Sequence, residues 1–471
     1  MLRSAKPATA SVAAAMRLPS LCSSRQSRTF TRSLAVLSDA LNPLTYSRKG
    51  PQPAAAPTTV TTVSQAASGV RVATYDHLGP ASTLAIVVNA GSRNDTSDAP
   101  GTAHMLKGSL IRTVFGDNVT RTIREAELRG NTLHSSVSRE HIILASDFLR
   151  DDLVDAVPVL ISNMFNRSFY PFEFLDAAPR AAEQTTSALV DPATIVFEKL
   201  HQIAFRNGLG NPLLASSQAL NGLNRAKLFE FVDKYFTADR ITVVGSGIAH
   251  NELKALVDAA FANVSLSSAK SETPKSKYYG GEARIEAGPN SEAHYVMAFP
   301  GVAYTSPEYQ ASLVLQALLD GSQRVKWGSR SGALAQASTE HTTSVAFSTS
   351  YSDAGLFGIH VVGATGEVKQ VVSKSLSTLR EVSNSISADA FTAAKKAAII
   401  YAEESQTRSN LVDSISKGAL STSLLHTGPE ILSINKVTIA DVQKLAKTIV
   451  ASKPSVVALG NSLMLPFAEE F

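Results

Sequence analysis

Two patterns of helix and strand recur along this 471-residue chain at almost one spacing. Apolar residues Leu153, Val157, Leu160, Ile161 and Met164 step by 0, 4, 7, 8 and 11, the period of one helix face. Val368, Val372, Leu376 and Leu379 step by 0, 4, 8 and 11, and Val368 stands 215 positions after Leu153. Further along, Leu228, Phe231 and Tyr235 lead into Thr242-Val243. Val442, Leu445 and Ile449 lead into Val456-Val457 in the same way, with Leu445 standing 214 positions after Phe231. Chance likeness between amphipathic helices does not hold such a register. The chain is expected to fold as two related α+β domains of about 200 residues, the usual size for a single core.

The first repeat should begin with strands Val70–Thr74 and Thr83–Val88 around the Gly79-Pro80 turn, with another strand from Arg139 to Phe148. Asp151-Asp152 open the helix at Leu153, and Pro158 should kink it or delay its start. A helix over 225–236 and a strand from Arg240 to Val244 follow, ending in a Gly245-Ser246-Gly247 turn. Residues 265–282 are Ser- and Lys-rich and carry a Gly-Gly pair, the pattern of a linker. In the second repeat Phe357–Val362 reads as a strand. The expected division is therefore 65–264 and 283–471, with an extended Pro-, Ala- and Thr-rich lead-in over 33–64.

Charge is unevenly placed. Residues 1–38 hold Arg3, Lys6, Arg17, Arg25, Arg28 and Arg32 and no acid, so without these six the formal +4 becomes −2. An Ala-, Ser- and Arg-rich start free of acids is the composition of a mitochondrial transit peptide, here expected over 1–32. The slightly acidic remainder has no electrostatic footprint for nucleic acid. The one cysteine, Cys22, lies inside that leader. Disulfides, thiolate metal sites and a cysteine nucleophile are thereby excluded from the rest of the chain. No stretch of 18 residues is continuously apolar.

Gly91-Ser92-Arg93-Asn94-Asp95 is followed by Gly101-Thr102-Ala103-His104-Met105-Leu106-Lys107-Gly108. Gly130-Asn131-Thr132, Ser138-Arg139-Glu140 and Phe197-Glu198-Lys199-Leu200-His201 come after in order. Together these resemble the pitrilysin-type zinc peptidases, specifically the mitochondrial processing peptidase and the core proteins of the cytochrome bc1 complex. The resemblance spans nearly all of the chain beyond the leader. It implies two tandem mixed α/β domains forming one half of a clam shell, in agreement with the repeat.

Active members carry an inverted zinc motif: two His four residues apart on one helix, and a Glu about 75 residues later. The Glu before the second His activates the zinc-bound water. Carried onto this chain, the first ligand is His104, the general-base position is Lys107 and the second ligand position is Gly108. The remote carboxylate falls at Glu183 or Gln184, according to a one-residue choice of alignment. Glycine cannot ligate, and a charged lysine can neither take a proton nor tolerate a nearby divalent cation. The expectation is a peptidase fold with no catalytic residue, no metal and no cofactor. Lys107 is further expected to occupy the vacated metal position and pair with Glu183.

Within the family, the substrate-recognising subunit of the processing peptidase carries a glycine-rich loop. The corresponding Leu318–Ser329 has two glycines and Trp327, and its Val325-Lys326-Trp327-Gly328-Ser329 matches a core-protein pattern, Val-Lys-x-Gly-Ser. The resemblance thus implies a structural subunit of ubiquinol–cytochrome c reductase, peripheral to the inner mitochondrial membrane on its matrix side. Its partners would be core protein 1, cytochrome b, cytochrome c1 and the Rieske protein. The alternative is a non-catalytic α-like subunit of the processing peptidase. His134, His141, His201 and His294 lack a second donor at coordinating helical spacing and read as packed or surface residues, and Glu403-Glu404 as a solvated helix face. Gly245 and Gly247 end a strand without a dinucleotide fingerprint, and no P-loop occurs.

Overall fold

The computed structural model describes residues 61–471 except 78, 114–117, 166–168, 263, 265, 267–272, 289–290, 324–331 and, apart from Val412 and Ile415, 405–428. The expected leader, most of the lead-in, residues 265 and 267–272 of the expected linker, the Val325–Ser329 segment and the side chains of Glu403-Glu404 lie outside the described residues.

Alternation of side chains builds the first sheet. In β3 (Ala81–Val88), Leu84, Ile86 and Val88 face a helical layer, while Ala85 and Val87 face the other way. Around it lie β1 (Thr62–Gln65), β2 (Arg71–Tyr75), β4 (Thr132–Val137), β5 (Ile142–Leu149) and β6 (Ile241–Ser246), in the order β1-β2-β6-β3-β5-β4. Its helices are α1 (Thr102–Gly108), α2 (Val119–Leu128), α3 (Leu153–Phe165), α4 (Pro171–Ala188), α5 (Pro192–Phe205), α6 (Ser217–Asn221), α7 (Arg225–Tyr235) and α8 (His250–Phe261). The apolar stripe Leu153, Val157, Leu160, Ile161 and Met164 of α3 is buried in this lobe's core.

The second lobe repeats the plan. Strands β7 (Gly281–Glu286), β8 (Ala293–Pro300), β9 (Thr342–Ser350), β10 (Gly355–Gly363) and β11 (Ser455–Gly460) run in the order β7-β11-β8-β10-β9. Leaving β1 aside, this matches the first sheet strand for strand. The β2–β6 pair is parallel, and so is its counterpart β7–β11. The second core is closed by α9 (Tyr309–Leu319), α10 (Thr365–Asn384), α11 (Ala388–Glu404), α12 (Pro429–Lys436) and α13 (Ile439–Val450).

Four local expectations need correction. The end of the lead-in is not merely extended: Thr62–Gln65 pairs with Arg71–Thr74 as an edge strand. The Gly-Gly end of the expected linker enters β7 at Gly281. Arg139 and Glu140 precede β5, which starts at Ile142. Of the two effects expected of Pro158, a kink or a delayed start, the delay is absent, since α3 starts at Leu153. Pro158 lies on the exposed face, where the carbonyl of Val154, deprived of a helical partner, can meet water.

One helix leaves its own lobe. Asp191 caps α5, accepting hydrogen bonds from the amides of Ala193 and Thr194 at 3.2 and 3.1 Å. The buried face of α5 (Val196, Leu200, Ala204, Phe205) packs on Val296, Ala298, Leu356, Val457 and Leu459, the outer face of the second sheet. Each fully buried Val, Leu or Phe there contributes about 1.5–3 kcal/mol. The exchange is mutual: Val412 and Ile415 cover Ala73, Ala85, Val87, Ala145 and Val244 on the outer face of the first sheet. Ile415 follows Leu200 by 215 positions, so the two crossing segments are themselves a repeat pair.

Candidate functional site

Helix α1 carries the residues singled out by the zinc motif, and its start is tightly specified. Gly101 precedes it at φ 80°, and a Cβ there would lie 2.3 Å from the Cβ of Ala215. Asp95 holds the first turn, its carboxylate accepting from the amides of Gly101 at 2.8 Å and Ala103 at 3.0 Å. Burial pushes the Asp95 carboxyl up to about 7, against the pull of those two amides.

His104 is 2% exposed. Its Nδ1 accepts from the Ala215 amide at 3.2 Å, so the proton of the neutral ring sits on Nε2. The imidazole also bonds the side chain of Gln184 on α4. Burial first, and the charge of Lys107 second, hold His104 below the ordinary histidine value. The α4 helix is fixed beside it by Thr185, whose hydroxyl donates to the Ala215 carbonyl at 2.8 Å. The Ala215 backbone thus registers α1 against α4.

Lys107, half-buried one turn on, donates from Nζ to Oε1 of Gln184 at 3.0 Å, and burial lowers its pKa. The expected pairing with Glu183 is not made: among the described residues no ion pair joins Lys107 to Glu183, which is exposed on α4. One helix step separates them, and it is Gln184 that turns toward both His104 and Lys107. Gly108 is exposed, and a Cβ built on it meets nothing within 4 Å. His104, Lys107 and Gln184 line a concavity of about 840 Å³ together with Ser135 of β4, Arg180 and Glu183. Ser135 donates to the Lys107 carbonyl at 3.1 Å, tying α1 to the sheet edge.

A catalytic zinc requires three protein donors and a free position for water. Here, among the described residues that line the cleft, His104 is the one histidine, and it stands with the Lys107 ammonium, the Gln184 amide and a single carboxylate, Glu183. Among the described residues no group of three or more His, Cys, Asp or Glu is arranged to hold a metal ion.

The other motif residues meet elsewhere, at the seam between the lobes. Arg93 donates to Glu140 at 2.8 Å, to both carboxylate oxygens of Asp353 at 2.8 and 2.5 Å, and to the Pro274 carbonyl at 2.7 Å. Glu140 accepts from the amide of Ser352 at 3.0 Å. Arg139 pairs with Glu198 of α5 at 2.5 Å and donates to the carbonyl of Asn211 at 2.6 Å. His201 is bonded to the Phe197 carbonyl at 2.7 Å and to the Tyr351 hydroxyl at 2.8 Å. Sequence reading missed Tyr351-Ser352-Asp353, the β9–β10 turn that receives these groups. Its only signal was a polar turn before a glycine. Of the remaining histidines, His134 is exposed, His141 is buried, and His294 contacts His360.

The family model "Insulinase (Peptidase family M16)" matches residues 71–217, and "Peptidase M16 inactive domain" matches 222–398. The chain belongs to peptidase family M16. It is 34% identical over 414 residues to the mitochondrial cytochrome b-c1 complex subunit 2 of Cryptococcus neoformans var. grubii, covering 86% of this chain and 93% of that one. The subunit 2 of Rattus norvegicus is 29% identical over 86% of this chain and 90% of its own length. The α subunit of the mitochondrial processing peptidase of Solanum tuberosum is 26% identical over 86% and 83%. A chain of complex III2 from Candida albicans superimposes with a TM-score of 0.73 at 19% identity, over 85% of this chain and 95% of that chain, a likeness of fold. Within the family, the chain groups with the cytochrome b-c1 complex subunit 2 proteins.

Proposed function

We propose that the chain is a non-catalytic core subunit of the mitochondrial ubiquinol–cytochrome c reductase, a peptidase fold whose zinc site has been lost. The observation that carries this is the makeup of the α1–α4 cleft. A cation at Lys107, a bare backbone at Gly108 and an amide at Gln184 stand where a base and two ligands belong. The subunit 2 proteins that resemble it over 86% of its length supply the context.

On this reading residues 1–32 are removed on import, and 65–264 and 283–471 are the two halves of the scaffold. The mature chain lies on the matrix side of the inner membrane, beside core protein 1 and in contact with cytochrome b, cytochrome c1 and the Rieske protein. Among the described residues no helix is long and apolar enough to cross a membrane, which suits a peripheral attachment. Electron transfer belongs to its haem and iron–sulfur partners.

Native electrophoresis of mitochondria in mild detergent tests the reading. The chain should migrate with the b- and c-type haems, without stoichiometric zinc and without cleaving presequence peptides. Migration with a presequence-cleaving partner, free of haem, would replace this reading with that of an α-like subunit of the processing peptidase.

A further inference from the structure

Three histidines line the seam where α5 sits on the second sheet. His201 lies on α5 itself, bonded at Nδ1 to the Phe197 carbonyl (2.7 Å) and at Nε2 to the Tyr351 hydroxyl (2.8 Å). His294 on β8 and His360 on β10 meet each other near the first turns of the same helix. Their facing nitrogens, Nδ1 and Nε2, are 3.3 Å apart, and the Phe197 ring stands edge-on to His360 with centroids 5.4 Å apart. His201 and His294 are 5% and 7% exposed.

This arrangement suits uncharged rings. A hydrogen bond between two imidazoles needs one N–H and one lone pair, so protonating both rings sets donor against donor and charge against charge. The acids facing the pair are Asp191, at the cap of α5, and Glu292, just before β8. Asp191 is already committed to the amides of Ala193 and Thr194, which limits what it can offer a second cation. His201 faces the guanidinium of Arg139, itself paired with Glu198, and the Tyr351 ring flanked by Glu140. A metal between His294 and His360 is not supported, since among the described residues no third donor completes a set.

We propose that this seam is a proton-operated latch. While His201, His294 and His360 are neutral, α5 stays seated on the second sheet; acidification charges them and lifts it off. Burial holds His201 down to about 3 and His360 down to about 4, and lowers His294 as well. The seated state therefore binds fewer protons than the released one. Its stability is complete above the ordinary histidine value of about 6.5 and falls as the pH drops toward the lowered values. Each such histidine makes release up to about tenfold easier per pH unit in that window.

The test is amide hydrogen exchange, corrected for intrinsic rates, on the intact protein purified in mild detergent with its co-purifying chains. Between about pH 7 and about pH 5 the opening constant of α5 should rise at least about 30-fold, while β3 in the first-lobe core changes far less. H360Q and H201Q should each flatten the α5 slope while leaving β3 as it was. Two variants guard against one failing to fold, and the wild-type slope is informative without either. An α5 opening constant indifferent to pH, or slopes unchanged in the variants that fold, would overturn the proposal.

Discussion

Installing the donors that the zinc motif calls for is the sharpest test of the cleft. In the triple variant K107E/G108H/Q184E, helix α1 presents two histidines and a carboxylate base toward a carboxylate on α4. Position 108 has room, since a Cβ there meets nothing within 4 Å, and replacing a helical glycine recovers a few tenths of a kcal/mol. Position 184 already lies within hydrogen-bond reach of the residue at 107. Leaving Lys107 in place opposes the metal. A unit charge about 5 Å from a divalent cation costs about 2 kcal/mol at the dielectric of water and about 7 at an effective value of about 20. G108H/Q184E should therefore bind zinc at least about 20-fold more weakly than the triple variant. Calorimetry and elemental analysis of the dialysed proteins decide the matter, with circular dichroism checking the fold. A folded triple variant that takes up no zinc, or a lysine-bearing variant that binds equally well, would show that α1 and α4 are not the metal cradle.

Other consequences are simpler. R93A should destabilise the protein by about 3–5 kcal/mol, because Glu140 is left buried without its cation; the midpoint of urea unfolding reads this, and a cost under about 1 kcal/mol would contradict a structural role at the seam. L200A should cost about 2–5 kcal/mol, seen as loss of exchange protection along α5 and β11 before the rest of the second lobe opens. D191A removes the cap of α5 and should lower the midpoint of the same urea assay by less than L200A does. G101A forces a positive φ on alanine and drives its Cβ into Ala215. It should lower the melting temperature and break the His104–Ala215 hydrogen bond, visible in the imidazole nitrogen shifts.

The lobe plan was legible because a helix facing a core writes its period into the sequence. The stripe at Leu153 and its echo at Val368 are such cases, and the two sheets they cover share one strand order. Edge strands were harder: Thr62–Gln65 has no apolar face, and only its ladder with β2 makes it a strand. An ammonium at 107 and a missing side chain at 108 are facts of the sequence itself, and the structure adds where they lie on α1. Choosing between Glu183 and Gln184 needed three dimensions, because one helix position turns a side chain by about 100°. The crossing of α5 could not be read at all. Its buried face looks like any amphipathic stripe, and nothing in Val196 or Leu200 says which sheet it will cover.

That crossing bears on ancestry. A single-repeat forerunner would have owned one sheet with a bare back and one helix with nowhere to lie, and two copies would satisfy each other only as a swapped, two-fold symmetric pair. Joining the copies end to end makes the swap intramolecular and releases each half from having to match its twin. One half could then diverge from the other without either losing the sheet that its crossing segment covers.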